Sequence, residues 1–103
     1  MKKTAAIGLV GLCLGAGPAW SVDMEEGQRK AQACIGCHGA NGQASNPEWP
    51  NLAGQNANYI MKQLKAFKSG IRKNELMSPM AQSLSDADVE NIAAYFSSLG
   101  SCN

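Results

Sequence analysis

A single histidine, His38, occurs among the 103 residues of this chain. A site built on two imidazoles of the same chain is thereby excluded. Aromatic residues are few, with Trp, Tyr and Phe occurring twice each. Neither sign of charge dominates, since Lys and Arg total 9 against 8 for Asp and Glu. That balance argues against a general nucleic-acid surface, which needs a strong basic excess. No run alternates apolar and polar residues as a half-buried strand does. No segment repeats, and no apolar run reaches the ~20 residues of a membrane helix.

What the chain has begins at its N-terminus. Lys2 and Lys3 precede a run of small and apolar residues from Ala5 to Ala16. A basic start, a short apolar run and small residues beyond it form a secretory signal pattern. We therefore expect residues 1–21 to be a signal peptide and 22–103 to be one domain. A lipoprotein signal is not expected, because Leu12 precedes Cys13 where a small residue is needed. Cleavage would leave 7 basic against 8 acidic side chains. It would also leave roughly 80 residues, a size that buries only a marginal core by itself.

The central motif is Cys34-Ile35-Gly36-Cys37-His38. Two cysteines three apart near a helix end can each form a thioether to one vinyl group of a porphyrin. The adjacent histidine can then ligate the iron. The pattern reads as a covalent attachment site for haem c. A structural zinc site needs four ligands, usually in two spaced pairs, and no second pair exists. A thioredoxin-like site would follow a strand, and none is indicated. A disulfide between Cys34 and Cys37 would close too small a loop to add much stability. Haem would also supply the apolar body that a core of this size lacks, so the apoprotein should fold poorly. Cys102 remains unassigned, either as an intermolecular disulfide partner or as a free thiol.

Three main helices are expected. The first runs from about Met24 to Ile35, with Asp23 as N-cap and Glu26 completing a capping box. Residues 39–57 are rich in Gly, Asn, Pro and Ser and form a loop with several turns. The second helix spans about Ala57 to Ser69 and ends at Gly70. Ile60, Leu64 and Phe67 share one of its faces. Residues 71–84 form a second loop. The last helix starts after Ser85 with Asp88 in a capping box, and Val89, Ile92, Ala93, Phe96 and Leu99 mark its buried stripe. Gly100 ends it.

A closed haem site needs a second axial ligand. Met24 lies about 15 Å along the first helix from Cys34 and cannot serve. Met61 sits inside a helix beside Ile60 and Leu64, as core filler. Met77 and Met80 lie on a loop stiffened by Pro79, where a sulfur can be presented to the iron.

These landmarks, with Pro50-Asn51-Leu52-Ala53-Gly54-Gln55 and the run from Leu84-Ser85-Asp86 to Ala93-Ala94-Tyr95-Phe96, resemble a class I c-type cytochrome. The resemblance is to the small bacterial monohaem type of the cytochrome c4, c5 and c-553 group. It implies an all-α fold, with three main helices and long loops wrapped around one covalent haem. It makes Cys34 and Cys37 the thioether residues and His38 the proximal ligand. The Pro50 carbonyl would accept the outer imidazole proton. The methionine seven residues before Leu84 is Met77, the favoured distal ligand, with Met80 the alternative. Gly27 would mark the crossing of the first and last helices.

The resemblance implies a periplasmic electron carrier, not an enzyme, that meets redox partner proteins of unknown identity. It implies neither nucleic-acid binding nor stable membrane insertion after cleavage. Lys62, Lys65, Lys68, Arg72 and Lys73 form either a docking patch for an acidic partner or an ordinary solvated face. The alternative function is a haem subunit of a larger oxidoreductase, for example in sulfur-compound oxidation. A gas sensor or small peroxidase with a labile distal ligand stands further back. Cys102 departs from the shared pattern and leaves open a disulfide-linked dimer or partner.

Overall fold

The computed structural model describes residues 22–100. The expected signal peptide and Cys102 lie outside them. The described residues form helices and loops without a strand, as expected.

Helix α1 spans Met24–Lys30. Asp23 caps it, its side chain accepting from the Glu26 backbone N–H at 3.0 Å. Glu25 and Glu26 in the first turn and Arg29 and Lys30 in the last complement the helix dipole. The helix does not continue unbroken to Ile35. It tightens into a 3-10 turn over Ala31–Ala33, and a separate short helix α2 spans Ile35–His38. The Ala31 N–H is shared between the Arg29 and Gly27 carbonyls, and the Cys34 N–H reaches back only to Ala31, at 2.8 Å. A 3-10 residue turns about 120° rather than about 100°, so three of them rotate the following turn by roughly 60°. The cysteine motif is thus rotated out of the register of α1, while Cys34 still packs against the core.

Helix α3 spans Ala57–Ser69. The Asn56 side chain accepts from the Tyr59 N–H at 3.0 Å, and Gly70 closes the far end. Helix α4 spans Met77–Gln82. This corrects the expectation of a loop over residues 71–84. Pro79 is the third residue of α4, where a backbone N–H would have no partner within the helix, so proline is tolerated. Helix α5 spans Asp86–Ser98 and begins with the expected capping box. Ser85 Oγ accepts from the Asp88 N–H and Asp88 Oδ2 accepts from the Ser85 N–H, each at 3.0 Å. The helix stops at Ser98 because Leu99 is already extended.

Helix α5 is the organising element. Helix α1 crosses it, α3 packs beside it, and α4 packs on α3. Gly27 lies at the first crossing, where an added β-carbon would fall 2.1 Å from the Asn91 carbonyl oxygen. Only hydrogen allows this approach. Ala31, Ile60, Ile92, Ala93 and Phe96 form the core, with Cys34, Leu52, Met61, Leu64 and Leu99 packed against it. Met61 is therefore part of the packing. Lys30 pairs with Asp88 at 3.5 Å, linking the end of α1 to the start of α5.

Candidate functional site

The cysteine motif forms one helical turn. The Cys34 carbonyl accepts from the N–H groups of Cys37 at 3.2 Å and His38 at 2.9 Å. Residues three and four apart on a helix share a face, so Cys34, Cys37 and His38 are neighbours. Gly39 then ends the turn at φ 93°, and a β-carbon there would lie 2.0 Å from the Gln43 carbonyl oxygen. The chain can reverse direction there only because residue 39 is glycine.

The reversal leads into residues 39–56, a loop with its own hydrogen-bond frame. The Gly42 carbonyl accepts from Leu52 at 2.7 Å and from Ala53 at 2.9 Å. Asn51 Oδ1 accepts from the Ala44 N–H at 2.7 Å. The Gly54 N–H donates to the Phe96 carbonyl at 2.9 Å, fastening the loop to α5. This frame brings the Pro50 carbonyl within 2.8 Å of His38 Nδ1. A carbonyl can only accept, so Nδ1 carries the proton. The neutral imidazole then has its lone pair on Nε2, the atom a metal would take. His38 is 8% exposed. Asn51 was not singled out from the sequence, although its place beside Pro50 in a turn-rich stretch was the available signal.

The thiols of Cys34 and Cys37 are free, the first half-buried and the second exposed. Burial pushes the Cys34 thiol up, with a smaller contribution from Cys37. No group of three or more Cys, His, Asp or Glu side chains among the described residues could hold a metal ion by itself. The donor set therefore fits a metal that arrives inside a covalently tethered macrocycle, with one imidazole nitrogen offered to it.

A family model for cytochrome c matches residues 24–100. The chain belongs to the cytochrome c family. Haem c is its cofactor, with Cys34 and Cys37 at the attachment spacing, and it is an electron-transfer protein. Cytochrome c-554(548) of Halomonas halodenitrificans is 48% identical over 79 residues, covering 74% of this chain and 95% of that protein. The crystal structure of reduced recombinant cytochrome c4 from Pseudomonas stutzeri superposes with a TM-score of 0.73 at 43% identity. That match covers 78% of this chain and 47% of the other. A protein named thiosulfate dehydrogenase electron acceptor in Thiomonas intermedia is 40% identical over 102 residues, covering 96% of this chain and 45% of that protein. This cytochrome thus spans nearly the whole of the first relative and about half of the other two.

The methionine segment differs from its expected form. Met77 and Met80 lie on α4, not on a loop; Met77 is half-buried and Met80 is 41% exposed. The five basic residues also separate in use. Lys68 Nζ donates to the Leu84 carbonyl, tying α3 to the approach to α5. The Arg72 guanidinium stacks 4.5 Å from the centre of the Phe67 ring and donates to Gln63. Lys62, Lys65 and Lys73 are exposed and form no ion pair among the described residues. Asn56, one of the polar neighbours of the loop, uses its side-chain oxygen to cap α3.

Proposed function

We propose that this cytochrome is a periplasmic monohaem electron carrier, exported by residues 1–21 and functional as residues 22–103. The observation that carries the reading is the His38–Pro50 hydrogen bond, which leaves Nε2 free on a helical turn that also carries two free thiols. When bound, haem c supplies one-electron chemistry between ferric and ferrous iron. Cys34 and Cys37 would tether the macrocycle, and His38 would offer its nitrogen to the metal. The Pro50 carbonyl holds the Nδ1 proton, which orients the ring and strengthens its donation to the metal. Met77 would give the second ligand, a soft sulfur donor that favours the reduced state. The partial burial of Met77 and the exposure of Met80 support that choice. With His38 and Met77 both holding the group, no ligand position would be left for a substrate, and on that ground we read the protein as a carrier and not an enzyme. Lys62, Lys65 and Lys73 present the positive charge that would steer an acidic redox partner. No described helix is long and apolar enough to cross a membrane.

Optical spectra of the purified protein test this reading. A far-red sulfur-to-iron band and an inert reduced form under carbon monoxide are expected. Loss of the band in Met77→Ala, with Met80→Ala unaffected, would identify the ligand. Rapid carbon monoxide binding by the unaltered protein would instead favour a sensor or a peroxidase.

The similarity to a thiosulfate dehydrogenase electron acceptor favours a second reading, a haem subunit of a sulfur-oxidising complex. Purification from the native periplasm at low salt distinguishes the two. A stoichiometric second chain supports the subunit, and a single chain supports the free carrier.

A further inference from the structure

Residues 71–76 are all exposed, with Ile71 at 86% and Leu76 at 57%. Little tertiary packing therefore holds the backbone that leads into Met77. Hydrogen bonds centred on Asn74 hold it instead. Asn74 Oδ1 accepts from the N–H groups of Leu76 at 2.8 Å and Met77 at 2.9 Å. The Asn74 carbonyl accepts from the Ser78 N–H at 3.0 Å, and the Asn74 N–H donates to Ser78 Oγ at 3.0 Å. Residue 79 is proline and has no N–H to satisfy. Every donor at the start of α4 from Leu76 to Pro79 is thus accounted for by one residue. Leu76, which occupies the cap position itself, has no side-chain acceptor.

We propose that Asn74 is a positioning residue for the distal iron ligand. Its carboxamide fixes the Met77 backbone and keeps the thioether within reach of the iron. The proposal rests on Met77 as that ligand. A neutral sulfur on a tethered segment binds as an intramolecular ligand. Its occupancy depends on how narrowly the tether confines it. Freeing the Leu76 and Met77 N–H groups widens that range without touching the α1–α5 crossing or the core.

The test compares the holoprotein with Asn74→Ala, Asn74→Asp, Ser78→Ala and Met77→Ala. Carbon monoxide binding to the reduced form reports how often the sulfur leaves the iron. Asn74→Ala is expected to retain the far-red band and to bind carbon monoxide about tenfold faster, equivalent to about 1.4 kcal/mol in the ligation equilibrium. Its helical melting should stay close to the parent. Asn74→Asp keeps an accepting oxygen and should restore most of the parental rate. Ser78→Ala loses only the bond to the Asn74 N–H and should give a smaller increase. A parental rate in Asn74→Ala, with an open iron in Met77→Ala, would overturn the positioning role and leave the ligand assignment standing. A closed iron in Met77→Ala would overturn the ligand assignment itself. A faster rate accompanied by general loss of helix, in both Asn74→Ala and Ser78→Ala, would make the effect structural and also refute the proposal.

Discussion

Replacing Gly27 with alanine should loosen the contact between the first and last helices. The new β-carbon would lie 2.1 Å from the Asn91 carbonyl oxygen, 2.8 Å from its carbon and 3.1 Å from Tyr95 Cβ. Carbon and oxygen ordinarily approach no closer than about 3.3 Å. The two nearest atoms belong to the backbone of α5, so no rotamer relieves the clash. Helix α1 would have to lift by about 1 Å, and a gap of that size forfeits a quarter to a half of each dispersion contact across the crossing. The Asp23 N–H bond to Asn91 Oδ1, now 2.9 Å, would stretch with it. Overpacking costs about 1–3 kcal/mol. A clash with backbone belongs at the upper end of that range. Alanine recovers about 1 kcal/mol through its higher helix propensity, leaving a net loss of about 2 kcal/mol. In a domain of this size that lowers the melting temperature by roughly 8–16 °C. Thermal unfolding of the holoprotein followed by circular dichroism measures it. Gln28→Ala, at the next and exposed position, is the control and should move stability by less than about 0.5 kcal/mol. A melting temperature for Gly27→Ala equal to or above the parent would refute the reasoning, because helix propensity would then outweigh the crossing.

The Asp88 carboxyl is held below its ordinary value of 3.8 by the Ser85 N–H first, with Lys30 adding to the effect. A carboxyl lowered in the folded state contributes its stability above about pH 4 and loses it as acid protonates it. Asp88→Asn should therefore be less stable than the parent at neutral pH, with the difference shrinking below pH 4; urea midpoints across pH measure this, and a difference independent of pH would contradict it. Asn56→Ala removes the cap of α3 and should cost about 1 kcal/mol, read as a lower denaturant midpoint with an unchanged optical spectrum. Phe96, fully buried at the centre of the core, should cost about 3–5 kcal/mol when truncated to alanine, enough to compromise accumulation of the holoprotein.

Local chemistry made much of the helical frame readable. Asp23 and Ser85 stand immediately before their helices and each accepts a backbone N–H with its side-chain oxygen, as Asn56 also does before α3. The stripe from Val89 to Phe96 is buried, as its spacing requires. The break between α1 and α2 was not readable, because Ala31-Gln32-Ala33 has ordinary helical composition. The tightening there accompanies burial of Ala31 against α5, a tertiary effect. Helix α4 was missed for a different reason. Met77-Ser78-Pro79 has the composition of a loop, and only Asn74, three residues upstream, supplies the donors' partner. Charge spacing alone misrepresented Lys68 and Arg72, since a repeat of three says nothing of a carbonyl or an aromatic ring within reach. No local pattern gives the imidazole tautomer, because it depends on where a distant loop carbonyl comes to rest; the family resemblance alone points to Pro50, whose carbonyl lies 2.8 Å from His38 Nδ1.

The crossing of α1 and α5 also orders events in time. The Asp23 N–H finds its partner on Asn91, 68 residues later in the chain. Contacts so distant in sequence cannot form until nearly the whole polypeptide has emerged. Until α5 is in place, this crossing cannot anchor Cys34 and Cys37, which lie just beyond α1. On the function proposed above, that interval is when a macrocycle would have the freest access to the thiols. Once α5 arrives, the same crossing closes the fold around whatever has been attached, so the last helix acts as the latch on an assembly begun at the first.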